Sequence, residues 1–177
     1  MDNLITTPRG IITIRPSQEV SAQAFRTLRL EAVRNHPEAF GADFDTENGP
    51  PATFWEERLH APGSDGTIFF ATQNDSFIGM CGIQRRNSPK IKHSAIIWGV
   101  YVQAEWRGLK IAERLIASCT EWARAQGIKI VKLAVVNSNT AAIRCYASCG
   151  FKVYGVEPQA LYYDGVMYDE LLMALSI

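Results

Sequence analysis

The segment Val100-Tyr101-Val102-Gln103-Ala104-Glu105-Trp106-Arg107-Gly108-Leu109-Lys110-Ile111-Ala112 constrains this chain most, because an apolar strand runs through a short turn into an amphipathic helix. Such a junction presents the first amides of the helix at the carboxyl end of the strand, where open sheets place their ligands. The turn delivers Arg107 and Lys110 to the helix start, and no acid follows before Glu113. A helix N-terminus carries about half a positive charge and unpaired N–H groups, so it prefers acids and disfavours cations. An anion such as a phosphate bound at the helix start explains the exception. Two solvated cations, each costing about 0.3 kcal/mol, explain it equally well on charge alone. The rest of the chain has to decide.

The elements come in a mixed order. Ile11–Arg15 reads as a short strand ended by Pro16, and Val20–Asn35 as a helix behind a Ser17 cap, closed by Pro37. A polar connection over Phe40–Pro51 leads to a short helix, Thr53–His60, stopped by Ala61-Pro62-Gly63. Thr67–Thr72 and Phe77–Gln84 read as a hairpin around Gln73-Asn74-Asp75-Ser76, followed by a long strand from His93 to Val102. A helix over Gly108–Gln126 closes at Gly127, and a nearly continuous apolar strand runs from Ile128 to Val136. Ser138 or Asn139 opens a helix to Cys149, and Phe151–Val156 and Met167–Leu175 are the last strands. The pattern is α+β, with a right-handed parallel crossover expected over Ile96–Val136.

Composition narrows the function classes. With 177 residues, 47% apolar and 20% charged, the chain reads as one globular domain over residues 11–177 behind a polar N-terminal tail, residues 1–10. Eighteen basic and eighteen acidic side chains cancel, which argues against wholesale binding to nucleic acid or an anionic membrane. No apolar run approaches the ~20 residues of a membrane span, and Met1–Gly10 lacks the apolar core of a signal peptide. Cys81, Cys119, Cys145 and Cys149 form no Cys-x-x-Cys pair and read as thiols of a reducing cytoplasm. His36, His60 and His93 show no ligand spacing, so no metal is expected. Neither Gly-x-x-x-x-Gly-Lys-Ser/Thr nor Gly-x-Gly-x-x-Gly with a downstream acid is present, which disfavours nucleotide hydrolysis and dinucleotide redox chemistry.

Three blocks in register resemble the GCN5-related N-acetyltransferase (GNAT) family. Val100-Tyr101-Val102 with Arg107-Gly108-Leu109-Lys110-Ile111-Ala112 is similar to its acyl-CoA motif, Arg/Gln-x-x-Gly-x-Gly/Ala behind an apolar strand. Asn139 to Phe151 resembles its Asn-x-x-Ala-x-x-x-Tyr-x-x-x-Gly-Phe segment, and Asp164-Gly165 with Tyr168-Asp169-Glu170 and Met173 its closing strand. The resemblance covers about Ile96 to Leu175. It implies a twisted, mostly antiparallel sheet of about seven strands with one splayed parallel pair, flanked by about four helices. One position departs from the pattern: Lys110 stands where the family has its first motif glycine. With helical dihedrals at Lys110, its N–H still faces a pyrophosphate and its ammonium adds a charge contact. If the glycine supplied clearance, the pocket is reshaped instead.

The resemblance further implies transfer of an acetyl group from acetyl-CoA, a co-substrate, to a primary amine in a ternary complex. Val100, Tyr101 and Val102 would supply backbone contacts to the pantetheine, and Arg107, Gly108, Leu109, Lys110, Ile111 and Ala112 would hold the pyrophosphate. Asn139 would contact the CoA arm, or cap its helix, or both. Tyr146 would protonate the departing thiolate, although its helical spacing also suits packing. A lysine-like amine has a pKa of about 10.4, so a base must take its proton. The strand Ile96–Val100 carries no acid; the candidates are Glu31 on the first long helix, His93 at the strand's start, or a water relay. Arg85, Arg86, Lys90 and Lys92 make one loop basic, which suits an anionic acceptor or is an ordinary solvated loop. The late strands offer an edge for a homodimer. A CoA-sensing module without transfer, or another acyl-CoA donor, fits the same resemblance.

Overall fold

A computed structural model describes residues 4–60 and 65–177. Strands β1 (Leu4–Thr7), β2 (Gly10–Pro16), β3 (Gly66–Gln73), β4 (Ser76–Arg85), β5 (Ser94–Val102), β6 (Ile130–Val136), β7 (Lys152–Tyr163) and β8 (Val166–Ser176) form one sheet. Its order is β1-β2-β3-β4-β5-β6-β8-β7. Every pairing is antiparallel except β5 with β6. The helices are α1 (Ala22–Asn35), α2 (Phe44–Asn48), α3 (Ala52–His60), α4 (Ile111–Ala125) and α5 (Thr140–Ser148). The mixed α/β architecture expected from the sequence is therefore present, with eight strands in place of about seven and five α-helices in place of about four.

Within the stretch read as a tail, Leu4–Thr7 forms β1 and pairs with β2; Met1–Asn3 lie outside the described residues. Thr7 makes the turn, its hydroxyl donating to Gly10 O at 2.8 Å and accepting from Arg9 N at 3.1 Å. The cap of α1 is Ser21, whose Oγ accepts from Ala24 N at 3.2 Å, while Ser17 opens a separate 3-10 turn. Inside the presumed connection, Asp43 accepts from Thr46 N at 2.7 Å and caps the one-turn helix α2, too short for its periodicity to show. The stop at Ala61-Pro62-Gly63 lies outside the described residues.

Alternation along β3 divides the core between the two faces of the sheet. Ile68 and Phe70 pack with Phe25 and Leu28 of α1 and Trp55 and Leu59 of α3. Ala71 points the other way, into the larger cluster with Leu115, Ile116 and Cys119 of α4 and Tyr146 of α5. The strand β5 lies between these layers and is irregular in two ways that create the site. First, it pairs with β6 only over Ser94↔Ile130, Ala95↔Val131 and Ile96↔Lys132, so the two strands splay beyond Ile96. Second, Gly82 faces Trp98 and Met80 faces Tyr101, which leaves Gly99 and Val100 opposite Cys81 alone. Gly99 has φ +64°, the left-handed conformation that a bulge of this kind demands. Gly82 serves the same region by having no side chain: a Cβ there would lie 2.3 Å from the Trp98 ring.

Candidate active site

The splay opens a cavity of about 820 Å³. Its walls are Ile97–Val102 of β5, Leu133–Val136 of β6, the start of α4, the inner face of α5 and the segment after α1. Val100, Tyr101, Val102, Arg107, Gly108, Lys110, Ile111, Ala112, Asn139 and Tyr146 all line it. Leu109 does not; it packs against the core behind the turn.

The turn between β5 and α4 has a different geometry from a helix that starts at Gly108. Ala104–Trp106 form a 3-10 turn, and α4 begins at Ile111. Its N-cap is Lys110 with φ 58° and ψ 24°, the left-handed region, so Lys110 does not have helical dihedrals. This is the conformation that a glycine adopts without steric cost, which explains the family's residue there. Arg114 N is the first amide of α4 with an intrahelical acceptor, Lys110 O at 3.2 Å. The amides ahead of it are the orphan donors of a helix start, and here they border the cavity.

The Arg107 side chain does not extend toward those amides. Its Nε donates to Val102 O at 3.0 Å, and its Nη2 donates to His36 Nε2 at 2.8 Å. An Arg only donates, so His36 Nε2 is an acceptor and the ring proton sits on Nδ1, 3.9 Å from Glu38 Oε1. Arg107 thus ties the end of β5 to the segment after α1, a role that its sequence position alone did not reveal. Asn139 does cap α5, its Oδ1 accepting from Ala142 N at 3.1 Å, while lining the cavity.

Tyr146 is 8% exposed, with its ring edge-on to Phe151 at 6.3 Å. Burial, followed by the neighbouring Cys81, Cys145 and Cys149 thiols, pushes its phenol well above the usual tyrosine range. It therefore holds its proton throughout neutral pH.

The structure separates the two base candidates. His93 precedes β5 at the end remote from the cavity, where its carbonyl accepts from Lys129 N at 2.8 Å. The basic loop from Arg86 to Lys92 lies at that same end, and Arg85 donates to Gln126 O at the far end of α4. Neither His93 nor the basic loop lines the cavity. Glu31 lies next to it: Tyr101 Oη donates to Glu31 Oε1 at 2.8 Å, and Gln103 Nε2 donates to Glu31 Oε2 at 2.9 Å. Burial, then the hydrogen bond to Glu31, raises the pKa of Tyr101.

Comparison with known proteins agrees with this geometry. The sequence pattern described as the acetyltransferase (GNAT) family matches residues 26–151. The chain belongs to the GNAT acetyltransferase family. Mycothiol acetyltransferase of Brachybacterium faecium is 26% identical over 139 residues, covering 78% of this chain and 40% of that protein. L-methionine sulfoximine/L-methionine sulfone acetyltransferase of Pseudomonas aeruginosa is 32% identical over 78 residues, covering 44% of this chain and 45% of that one. The matched segments thus span less than half of either curated relative. Among solved structures, ribosomal-protein-alanine N-acetyltransferase from Brucella melitensis superposes with TM-score 0.76 at 23% identity, covering 93% of this chain and 99% of that one. A putative acetyltransferase from Salmonella typhimurium, solved with its cofactor acetyl-CoA, gives TM-score 0.76 at 22% identity, with 93% of each chain covered. These structural likenesses establish the GNAT fold.

Sequence reasoning missed one wall of the cavity. His36, Glu38 and Phe40 line the cavity from the segment after α1. Pro37 signalled only that α1 ends there, and nothing in the local pattern says that the following residues fold back onto β5. Among the described residues, no group of His, Cys, Asp and Glu side chains could hold a metal ion, and no helix is long and apolar enough to cross a membrane.

Proposed function

We propose that this GNAT chain moves an acetyl group from acetyl-CoA to a primary amine of a small molecule or peptide, by direct attack within a ternary complex. The observation that carries this reading is a single one. The amides at the start of α4, the splayed edge of β5 and the buried Tyr146 side chain line one cavity.

Each part has a chemical task. The amides from Gly108 to Ala112 receive the pyrophosphate, and Lys110 adds its charge. The backbone of Val100–Val102, freed from β6 by the splay, receives the pantetheine, and Asn139 borders the same arm. A β5 amide near the bulge meets the negative charge that develops on the thioester oxygen. Tyr146, which keeps its proton at working pH, delivers it to the departing thiolate. The amine loses its proton toward Glu31 through the Tyr101 hydroxyl, the connection that the 2.8 Å hydrogen bond provides. The names of both curated relatives point to small-molecule acceptors, in keeping with a cavity of this size. We place the protein in the cytoplasm as a single catalytic domain. The exposed apolar residues of the β7–β8 edge, including Val153, Tyr154 and Val156, offer the surface for a homodimer, which light scattering across a dilution series checks.

Calorimetric titration with acetyl-CoA, followed by release of free CoA thiol in the presence of a broad amine panel, tests the reading. Saturable micromolar binding and amine-dependent thiol release are expected. Binding without release for any amine would make this a CoA-sensing module, and absence of binding would remove the donor site altogether.

A further inference from the structure

Behind the acceptor side of the cavity lies a buried ionic cluster that the reaction just described does not use. Arg29 of α1 is 5% exposed and Glu47 of α2 is 7% exposed. Arg29 Nε donates to Glu47 Oε2 at 3.0 Å and its Nη2 to Glu47 Oε1 at 3.2 Å. Arg58 Nη1 of α3 donates to the same Oε1 at 2.8 Å. Two guanidinium groups share one carboxylate, so the cluster carries a net positive charge. A buried excess charge is poorly screened, and a buried charged donor without an acceptor is strongly destabilising.

The excess has a direction. Arg29 Nη1 is buried and has no hydrogen-bond partner among the described residues. It lies beneath the β5 bulge, 3.6 Å from where a Cβ on Gly99 would stand. The Arg29 guanidinium is covered by the Phe40 ring at 5.0 Å, and that ring is itself only half-buried. Gly99, Trp98 and Phe40 all line the cavity. Gly99 also belongs to the bulge beside which a β5 amide is proposed to meet the thioester oxygen. The unpaired donor therefore sits directly behind the cavity wall formed by Gly99 and Phe40; Arg29 does not itself line the cavity, so a carboxylate reaches Nη1 only when the Phe40 ring turns aside. On the same side Glu38 lines the cavity and Glu31 stands behind Tyr101, so carboxylates are available to an ammonium.

We infer that Arg29 Nη1 is the carboxylate anchor of the acceptor pocket, and that the amine acetylated here is the amino group of a free α-amino acid. This rests on the transferase reading above and names its substrate class. The donor's place beside the bulge favours a carboxylate on the carbon that bears the amine, since a longer spacer would carry the amine past the thioester. Acetylation forms the amide N–C bond and breaks the thioester C–S bond. The amine proton leaves through the base and the thiolate gains one from Tyr146, while the carboxylate stays bound and unchanged.

The test compares free L-amino acids with their primary carboxamides at saturating acetyl-CoA, reading kcat and KM separately. A carboxamide amine is less basic and thus more often neutral at pH 7, so preference for the acid runs against intrinsic reactivity. The wild type is expected to favour the acid by about 100-fold or more in kcat/KM, as a pocket with a dedicated buried donor does. Arg29→Met removes the donor, while Glu47 keeps its hydrogen bond from Arg58 at 2.8 Å and is not stranded. In this variant the ratio of acid to carboxamide kcat/KM should fall toward one, mainly through KM for the acid. Arg29→Lys should restore part of the preference. Equal use of acids and carboxamides by the wild type, or a preference untouched in Arg29→Met, would overturn the inference and leave the transferase intact. Turnover confined to amines without a carboxylate does the same. Acetyl-CoA binding with no acetylation of any amine overturns the transferase reading, and this inference with it.

Discussion

The two halves of the cavity are built from different parts of the chain's chemistry. The half proposed to take the donor (the donor half), from the β5 bulge to the first turn of α4, offers mainly backbone: amides at a helix start and a strand edge released by splay. The half proposed to take the acceptor (the acceptor half) offers side chains: Glu31 with Tyr101 and Gln103, His36 with Arg107, and Arg29 with Glu47 and Arg58. Backbone groups recognise what every acyl-CoA shares, and they tolerate many sequences provided that dihedral angles are kept. Side chains recognise what differs between acceptors, and they fail when a single partner is lost. Substitutions should therefore act by conformation in the first half and by chemistry in the second.

Tyr146 is where this contrast should break most sharply, because the donor half there depends on one side-chain atom. Tyr146→Phe should lower kcat by about 100-fold or more while leaving acetyl-CoA affinity within about twofold. Steady-state kinetics and calorimetry together check both parts. Since burial raises the Tyr146 pKa, its phenol is still neutral as pH rises past 9. An alkaline loss of rate below about pH 10 would assign the proton donor to another group.

Support of the acceptor half comes next in size. Burial alone would raise the Glu47 pKa, but hydrogen bonds and charge from Arg29, then Arg58, outweigh it and hold the carboxyl below its ordinary value. A folded pKa below the unfolded one contributes stability that is fully present above the unfolded value near 4.5 and is lost as pH falls through the folded one. Glu47→Gln should cost about 3 kcal/mol at pH 7, because it strands a buried guanidinium. It should also flatten the decline in stability below about pH 4.5, as read by urea unfolding across pH.

Glu31→Gln isolates the proton path. The amide keeps hydrogen-bonding capacity toward Tyr101 and Gln103 but cannot accept a proton, so kcat should fall about tenfold with KM for the amine little changed. Tyr101→Phe should do the same. An unaltered kcat in both variants would send the proton through water instead.

The same contrast explains what was legible in the sequence. The donor half is local: strand, turn and helix follow one another from Val100 to Ala112, and Asn139 to Phe151 follows as a second short block. Local order survives in a one-dimensional reading, so these residues were found together. The acceptor half gathers Arg29, His36, Glu47 and Arg58 from three helices and a connecting segment, across the antiparallel pairing of β3 with β4. Only tertiary packing gathers them, and it brings Arg29 to Gly99. His93 stands at the start of β5, as the sequence indicates, but a nine-residue strand separates its two ends by about 30 Å, and the cavity lies at the other one. The length of β7 was also underread. It runs to Tyr163 through an irregular stretch in which Gln159, at φ 52°, donates its amide to Asp169 Oδ1 at 2.8 Å. Pro158 and that kink look like a strand end in sequence.

Lys110 yields the smallest effect and the cleanest separation of backbone from charge. A left-handed conformation costs a non-glycine residue about 1–2 kcal/mol, and glycine returns about half of that gain through greater freedom in the unfolded chain. Lys110→Gly should therefore stabilise the fold by about 0.5–1 kcal/mol, a rise of about 1–4 °C in Tm. Lys110→Ala removes the same ammonium but keeps the strain, so it should bring no such rise. If the ammonium contacts the pyrophosphate, both variants should lose acetyl-CoA affinity equally, by about threefold to tenfold for one exposed charge. If only the amides matter, Lys110→Ala should bind as wild type does, and Lys110→Gly should bind no more weakly. Loss of binding in Lys110→Gly alone would mean that the strained cap is itself part of the site, held left-handed to aim the amides that follow it.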